Sequence, residues 1–443
     1  MHLNLVRALR AVIRHNGPRP AMLDVARTYS WNEFGDRVGR AAGALRAMGV
    51  DKDKRFAVLA RNGFRQEELK WAGFWLGAIP VPVNWRLAPP EIAHILEDAE
   101  AECLLVENHF QSVLDHPAMS AWKSKATVIG DIAGPTLGEY EDMLARATAP
   151  PPADPAPDDD AMLIYTGGTT GRSKGVRLTH LNIVTNGVAF GLGIAARREQ
   201  PYLHAAPMFH SADLLGTGYT LLGGSHAYLP QFSPKNVLAA IQDLRVTATM
   251  LAPTMIIMTL QDLKPADFDL RSFRWFLYGS APMAPEWIVK SIEAFPGVEV
   301  CQGYGLTETS PILTYLDFDE HKKALATKDY TRLKAAGRPI AGVDMRILDN
   351  RGREAPLGEA GEVVVRAPNV TKGYLNLPDV TAAAIRDGWF HTGDVGRMDE
   401  EGFMYLLDRK KDMIITGGEN VYTVEVEQAL YQHPAVAECA VVG

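Results

Sequence analysis

The groups best suited to holding an anion are gathered in one short run, Tyr165-Thr166-Gly167-Gly168-Thr169-Thr170-Gly171-Arg172-Ser173-Lys174-Gly175-Val176. Its glycines let backbone N–H groups approach a ligand closely. Thr166, Thr169 and Thr170 add hydroxyl donors, and Arg172 and Lys174 add positive charge. A polyphosphate requires this set of groups. The run is not the G-x-x-x-x-G-K-[ST] loop of the common nucleotidases, because Lys174 follows Ser173 and precedes Gly175. A ligand-free hairpin is the competing reading, but turns rarely collect so many threonines, cations and glycines together.

Five further segments carry chemistry. In Gln302-Gly303-Tyr304-Gly305-Leu306-Thr307-Glu308-Thr309 a flat aromatic lies between two glycines, followed by a hydroxyl and a carboxylate. His391-Thr392-Gly393-Asp394 follows Gly388-Trp389-Phe390. A charged stretch, Asp408-Arg409-Lys410-Lys411-Asp412, precedes Gly417-Gly418-Glu419-Asn420. Pro207-Met208-Phe209-His210-Ser211 leads into an apolar stretch from Leu214 to Leu222, and Asp213 beside it aims either at a pocket or at solvent. Tyr278-Gly279-Ser280-Ala281-Pro282 is small enough to leave room for a ring or chain. Taken singly, each is matched by a plain turn, a solvated charge run or a core histidine. Gly191-Leu192-Gly193-Ile194-Ala195-Ala196 fits the loose dinucleotide pattern but follows a helical stretch rather than a strand, and is set aside.

The elements that must position these groups alternate in βα fashion. Phe56–Ala60, Val81–Val83 and Cys103–Val106 read as strands, with helices at Arg65–Gly77 and Pro89–Asp98. That grammar predicts a mostly parallel, covered sheet. A proline-rich connection runs from Ala149 to Pro157. Strands are then expected at Met162–Tyr165, Thr247–Ala252 and Trp275–Tyr278, with helices at Leu181–Phe190, Pro234–Leu244 and Pro285–Phe295, a second βα layer system. From about Gly337 the pattern becomes β-rich, with strands at Val343–Leu348, Gly361–Val365 and Phe403–Leu407. A strand at Met413–Thr416 and a helix at Val424–Tyr431 follow. The fold class is therefore α/β. It comprises a large domain over 1–407, with subdomains of about 1–157, 158–336 and 337–407, then the hinge and beginning of a small α+β domain at 408–443.

Bulk properties narrow the function. The 443 residues suit several domains or subdomains. Hydrophobic content of 47% and charged content of 22% are ordinary for a globular protein. A net charge of −8 argues against a broad surface for nucleic acid. Cys103, Cys301 and Cys439 form no CxxC pair, which argues against structural zinc and a disulfide framework and fits a reducing, cytoplasmic setting. Arg7, Arg10 and Arg14 interrupt the start, so no signal peptide is read, and no apolar run is long enough for a membrane span. A homodimer is compatible with the sequence.

In their order and spread, these segments resemble the adenylate-forming superfamily of acyl-CoA synthetases, luciferases and non-ribosomal adenylation domains. The resemblance runs from Tyr165 to Glu427. It implies that Thr166, Gly168, Thr169, Thr170, Gly171 and Lys174 contact the phosphates of ATP. It implies that Tyr304, flanked by Gly303 and Gly305, stacks on adenine against Ser280 and Ala281, that Thr307 meets phosphate, and that Glu308 holds Mg²⁺. A single carboxylate beside substrate phosphates is the usual Mg²⁺ arrangement. Asp394 and Arg409 would meet the ribose, Lys411 occupies the hinge position, and Gly418 would lie by the pantetheine channel of CoA. His210 and Phe209, with Tyr278, Gly279 and Gly303, would flank the carboxylic acid. Amino-acid-activating relatives place an aspartate at the position of His210, so the histidine argues for an uncharged aliphatic or aromatic acid.

The implied activity is ATP- and Mg²⁺-dependent formation of an acyl-adenylate, with release of pyrophosphate, and transfer of the acyl group to CoA. Thr166, Lys174, His210, Glu308 and Lys411 are the residues expected to carry it. Two alternatives stand beside this reading: loading of a carrier-protein thiol, and non-catalytic nucleotide binding. Three departures bear on the choice. Gly167 stands where serine is usual, which removes one hydroxyl, and Ser173 stands where proline is common, which loosens the loop. The family's C-terminal adenylation lysine would lie beyond Gly443, and the expectation is that the sequence is part of a longer chain.

Overall fold

The computed structural model describes residues 3–24, 27–131, 138–167, 172–416, 419–431, 436 and 439–442. A nine-stranded sheet forms its centre. In spatial order its strands are Arg338–Pro339, Thr314–Leu316, Glu299–Tyr304, Trp275–Gly279, Ala248–Leu251, Tyr202–His204, His226–Tyr228, Pro20–Leu23 and Thr28–Ser30. The strands from Glu299–Tyr304 across to Pro20–Leu23 are mutually parallel, and antiparallel strands finish both edges. Helices Pro234–Asp243, Pro253–Asp262 and Pro285–Ala294 bury one apolar stripe each in a common core with Phe276, Tyr278 and Val300. Each begins on a proline, whose fixed φ and missing N–H suit a first helical turn.

A second, all-parallel sheet runs Ile79–Pro82, Arg55–Leu59, Leu104–Val106, Ala126–Val128. The helix Trp31–Ala47 joins the two systems. Its N-terminus is fixed by a capping box in which Ser30 and Glu33 satisfy each other's backbone N–H groups. Trp31, Phe34 and Val38 pack into one core, whereas Ala41, Ala42 and Leu45 pack into the core of the four-stranded sheet. A side chain at Gly43 would collide with the Thr148 carbonyl, so glycine lets the proline-rich connection pass across this helix.

Two features depart from the sequence reading. The apolar run around Met162–Tyr165 does not open a parallel layer. It forms an antiparallel hairpin, Asp160–Thr166 with Lys174–Thr179. Met162 and Ile164 enter one core and Leu163 another, so both faces are covered and no polar alternation marks the strand. The segment before 157 is also not self-contained, because Met22 and Leu23 pair with His226 and Ala227 in the central sheet. Strands of three or four residues are too short to leave a periodic signal.

The β-rich region follows the expectation closely. Asp344–Leu348, Gly361–Arg366, Trp389–Met398, Met404–Arg409 and Ile385–Arg386 form an antiparallel sheet. Its last long strand runs to Arg409, and its register sets Arg409 opposite Asp394. Beyond it lie the small hairpin Ile414–Thr416 with Glu419–Val421 and the helix Thr423–Tyr431.

Candidate active site

A cleft of about 740 Å³ opens where the parallel strands of the central sheet end at their C-termini. In open α/β sheets this edge is where ligands bind, because the strands stop there and their connecting loops diverge. Gly279 and Gly303, in register on neighbouring strands, form its floor. A side chain on Gly279 would strike the Gly303 carbonyl, and one on Gly305 would strike the Pro311 carbonyl. Bare backbone here is a steric requirement, and it leaves a flat shelf. Ser280, next along, holds a left-handed φ of 70° and lines the cleft.

One end of the cleft is polar. Thr166 and Gly167 enter it from the hairpin, while Gly168, Thr169, Thr170 and Gly171 lie outside the described residues. Lys174 pairs with Thr166 across the hairpin, and its Nζ lies 5.5 Å from the centre of the Tyr374 ring. The Tyr374 hydroxyl donates to Glu308 Oε1 at 2.9 Å, so the lysine and the carboxylate share one aromatic support. Burial, reinforced by the Glu308 charge, pushes the Tyr374 phenol well up, which keeps it a donor. Thr307 is fixed by a 3.1 Å hydrogen bond between its Oγ1 and Ser211 Oγ.

Beside it lies a smaller recess of about 250 Å³, which includes Ala281, Tyr304, Asp408 and Thr423. Tyr304 donates its hydroxyl to Asp394 Oδ2 at 2.7 Å, and Arg409 Nε stands 3.6 Å from Asp394 Oδ1. Burial raises the Asp394 pKa above the usual carboxylate range, although Tyr304 and Arg409 both favour its charged form. Asp408 accepts from the Thr423 backbone N–H at 2.6 Å and from its hydroxyl at 3.1 Å, tying the helix Thr423–Tyr431 to the strand Met404–Arg409. Lys411 lines the main cleft, whereas Gly418 lies outside the described residues.

The other end is apolar. Phe209, Ala212, Leu215, Met250, Leu277 and Ile312 wall it, with His210 at the entrance. His210 is open to the cleft, yet burial by the surrounding walls and the nearby Arg86 charge lower its pKa, which favours the neutral imidazole.

Tyr278 requires a correction. Strand alternation sends Leu277 and Gly279 into the cleft and Tyr278 to the opposite face, where its hydroxyl lies 3.0 Å from His321 Nε2. Asp213 aims neither at the pocket nor at solvent. It is buried between Lys70 Nζ at 2.8 Å and His204 Nδ1 at 2.5 Å. Sequence reasoning missed Leu277, Ser211 and Tyr374. A period-2 count back from Gly279 could have found Leu277, and Ser211 stood in a segment already singled out. Tyr374 carried no local signal.

Glu308, Asp394 and Arg409 therefore line one cleft, and Lys174 reaches Glu308 through Tyr374. A glycine shelf at the end of a parallel sheet, with carboxylates at one end and apolar walls at the other, defines an adenylate-forming enzyme. The chain belongs to the AMP-binding enzyme family, whose description its residues 9–375 match. It is 37% identical over 433 residues to a feruloyl-CoA synthase of an Amycolatopsis species, covering 97% of this chain and 82% of that one. It is 35% identical over 421 residues to a long-chain-fatty-acid–CoA ligase of Mycobacterium tuberculosis, covering 95% and 80%. The structure of o-succinylbenzoate CoA synthetase from Bacillus subtilis, in complex with its acyl-adenylate intermediate, superposes with a TM-score of 0.85 at 30% identity, covering 98% of this chain and 84% of that one. The chain is accordingly an AMP-forming acid–thiol ligase, and among its described residues no helix is long and apolar enough to cross a membrane.

Proposed function

We propose that this enzyme joins an uncharged carboxylic acid to CoA through an acyl-adenylate. The observation that carries the proposal is the polarity of this one continuous cleft, lined by carboxylates and cations on one side and apolar walls on the other, with His210 beside the apolar walls. A carboxylate resists attack because it is anionic and lacks a good leaving group. Attack of its oxygen on the α-phosphorus of ATP makes a mixed anhydride and releases pyrophosphate. A thiol then attacks the acyl carbon and AMP leaves.

The roles we assign follow from position. Asp394 accepts hydrogen bonds from the ribose hydroxyls, since its carboxylate is held by Tyr304 and faces the cleft. The shelf at Gly303 and Gly305 takes the flat base, and Ser280 and Ala281 wall it. Thr166, Thr307, Lys174 and the glycine-threonine loop bind the phosphates. Glu308 fits Mg²⁺, because one of its oxygens is engaged by Tyr374 and a lone carboxylate beside phosphates is the usual arrangement. When bound, Mg²⁺ would neutralise phosphate charge. His210, neutral and at the entrance, orients the acid without a competing charge. Its apolar neighbours exclude water, which protects the anhydride from hydrolysis.

The small domain begins, in this proposal, just beyond Arg409, with Lys411 as hinge and Asp408 as the latch on its first helix. Gly418 would border the path of the thiol. The buried thiols of Cys103 and Cys301 suit a reducing cytoplasm.

The test is acid-dependent pyrophosphate release across a panel of acids, with and without CoA. The proposal requires both pyrophosphate and a CoA thioester. Pyrophosphate release without thioester would point to a carrier-protein acceptor, and ATP binding without turnover would remove the ligase assignment.

A further inference from the structure

The relatives' names span a ring acid and a long chain, so family membership leaves the size of the acid open. The register of the central sheet addresses it, given the ligase reading above. On the face that carries the acid pocket, the side chains fall in three rows. Gly279 and Gly303 make the first, at the mouth. Met250, Leu277 and Cys301 make the second, being register partners on adjacent strands. Ala248, Trp275 and Tyr202 make the third. At about 3.3 Å per residue, the glycine row lies roughly 13 Å along the sheet from the Trp275 row.

Met250 and Leu277 line the pocket, but the third row does not. Trp275 is buried at 2% exposure, stacked on Tyr219 at 6.2 Å and held edge-on by Phe190 at 6.1 Å. Its far side borders another, open cleft with Ile194, Thr247 and Phe318. Trp275 packs in one apolar core with the pocket-lining Leu215, Met250, Leu277 and Ile312, and so lies between those walls and the outer cleft. The acid and base residues that line the main cleft, among those described, are His210 at the acid end and, elsewhere, Glu308, Asp394 and the segment 409–411. Among the described residues, the walls Phe209, Ala212, Leu215, Met250, Leu277 and Ile312 carry no charge, and the Arg86 cation lies over the Phe209 ring at 5.8 Å.

We propose that Trp275, one row behind the lining Met250 and Leu277 and packed in the same core, backs the floor of the acid pocket and is its length gauge. The substrate is an uncharged monocarboxylic acid of one aromatic ring with a short linker, or a chain of comparable length. Removing the indole would join the pocket to the outer cleft and admit long chains.

The experiment is equilibrium binding of straight-chain acids from two to sixteen carbons, and of benzoic and phenylpropenoic acids, to the full chain with AMP present. Pyrophosphate release is followed in parallel. Wild type should bind ring acids and medium chains about tenfold or more tighter than hexadecanoic acid. Trp275→Ala should abolish or reverse that preference while binding AMP within about twofold of wild type. Leu277→Phe, which fills the middle row and keeps the floor, should weaken ring acids about tenfold and spare acetic and propionic acids. The inference is overturned if wild type binds hexadecanoic acid as tightly as hexanoic acid. It is equally overturned if a folded Trp275→Ala protein, or Leu277→Phe, keeps the wild-type profile. AMP binding with no response to any acid would instead overturn the ligase reading itself, and the length gauge with it.

Discussion

The two ends of the cleft are built by different means. The nucleotide end is made of residues brought from the hairpin, the turn at Glu308 and the antiparallel sheet, and its groups hold one another through Tyr304–Asp394 and Tyr374–Glu308 hydrogen bonds. The acid end is made of ordinary apolar residues, Met250 and Leu277 on two adjacent strands and Phe209, Ala212, Leu215 and Ile312 from connecting segments. Beneath it lies a chain of buried polar groups: Lys70 to Asp213, Asp213 to His204, His204 to His226 at 3.0 Å, and His226 to Thr220 at 3.1 Å. The contrast shows a division of labour. Chemistry common to all substrates is fixed by polar groups at set spacings, whereas the choice of acid is left to side chains that can change size without disturbing the phosphates. The ionic cluster keeps the turn Ser211–Leu215 in place while those side chains vary.

The largest effect that would break this contrast comes from beneath the acid end. Burial alone would push the Asp213 carboxyl up, but Lys70 and His204 outweigh it and hold it well below the carboxylate range. Asp213→Leu leaves His204 and Lys70 without that partner and should cost about 3–5 kcal/mol, read by urea unfolding. Because the folded pKa is depressed, this stability is complete above about pH 4 and is lost as pH falls toward the folded value. The gap between variant and wild type should therefore narrow in acid. A loss under about 1 kcal/mol would show that the cluster is not what secures the acid end. Next in size is Glu308→Ala, which should slow acid-dependent pyrophosphate release by about a hundredfold or more with little change in acid binding. A near-normal rate would remove Glu308 from the nucleotide end.

The same contrast explains what could be read in the sequence. The segments around Lys174, Glu308, Asp394 and Arg409 were visible because glycines, hydroxyls and charges stand close together in each. Helix Pro89–Asp98 matched its expected range because a proline start and an apolar stripe fix it. The acid end was poorly legible. Leu277, Met250 and Trp275 look like any core strand residue, and their task appears only when alternation and register are known. Tyr278 was misplaced for this reason: one step along a strand reverses the face. Asp213 could not be placed, because its partners Lys70 and His204 are distant in sequence and a buried ion pair has no local pattern. The short interior strands Tyr202–His204 and His226–Tyr228 were missed because three residues carry no period.

Two smaller effects sharpen the comparison at the nucleotide end. Tyr304→Phe removes a donor that favours the charged form of Asp394. The Asp394 pKa, already raised by burial, should rise further, so loss of ATP affinity on acidification should begin at higher pH than in wild type. At neutral pH the affinity should fall about five- to tenfold, a typical cost for one hydrogen bond to a charged group. Coincident pH profiles would mean that Asp394 is not the group that meets the nucleotide.

The last effect is a gain. Among the described residues, a Cβ at Gly167 would have no neighbour within 4 Å, and no left-handed φ constrains the residue. Gly167→Ser therefore fits without strain and supplies the hydroxyl that family members usually carry there. The added donor faces the cleft beside Thr166, so it should lower the KM for ATP about two- to fivefold, equivalent to roughly 0.5–1 kcal/mol. The KM for the acid should not move, because the acid end shares no residue with the hairpin. A fall in both constants would mean that the two ends are coupled through the hairpin. An unchanged KM for ATP would place the phosphates out of reach of residue 167.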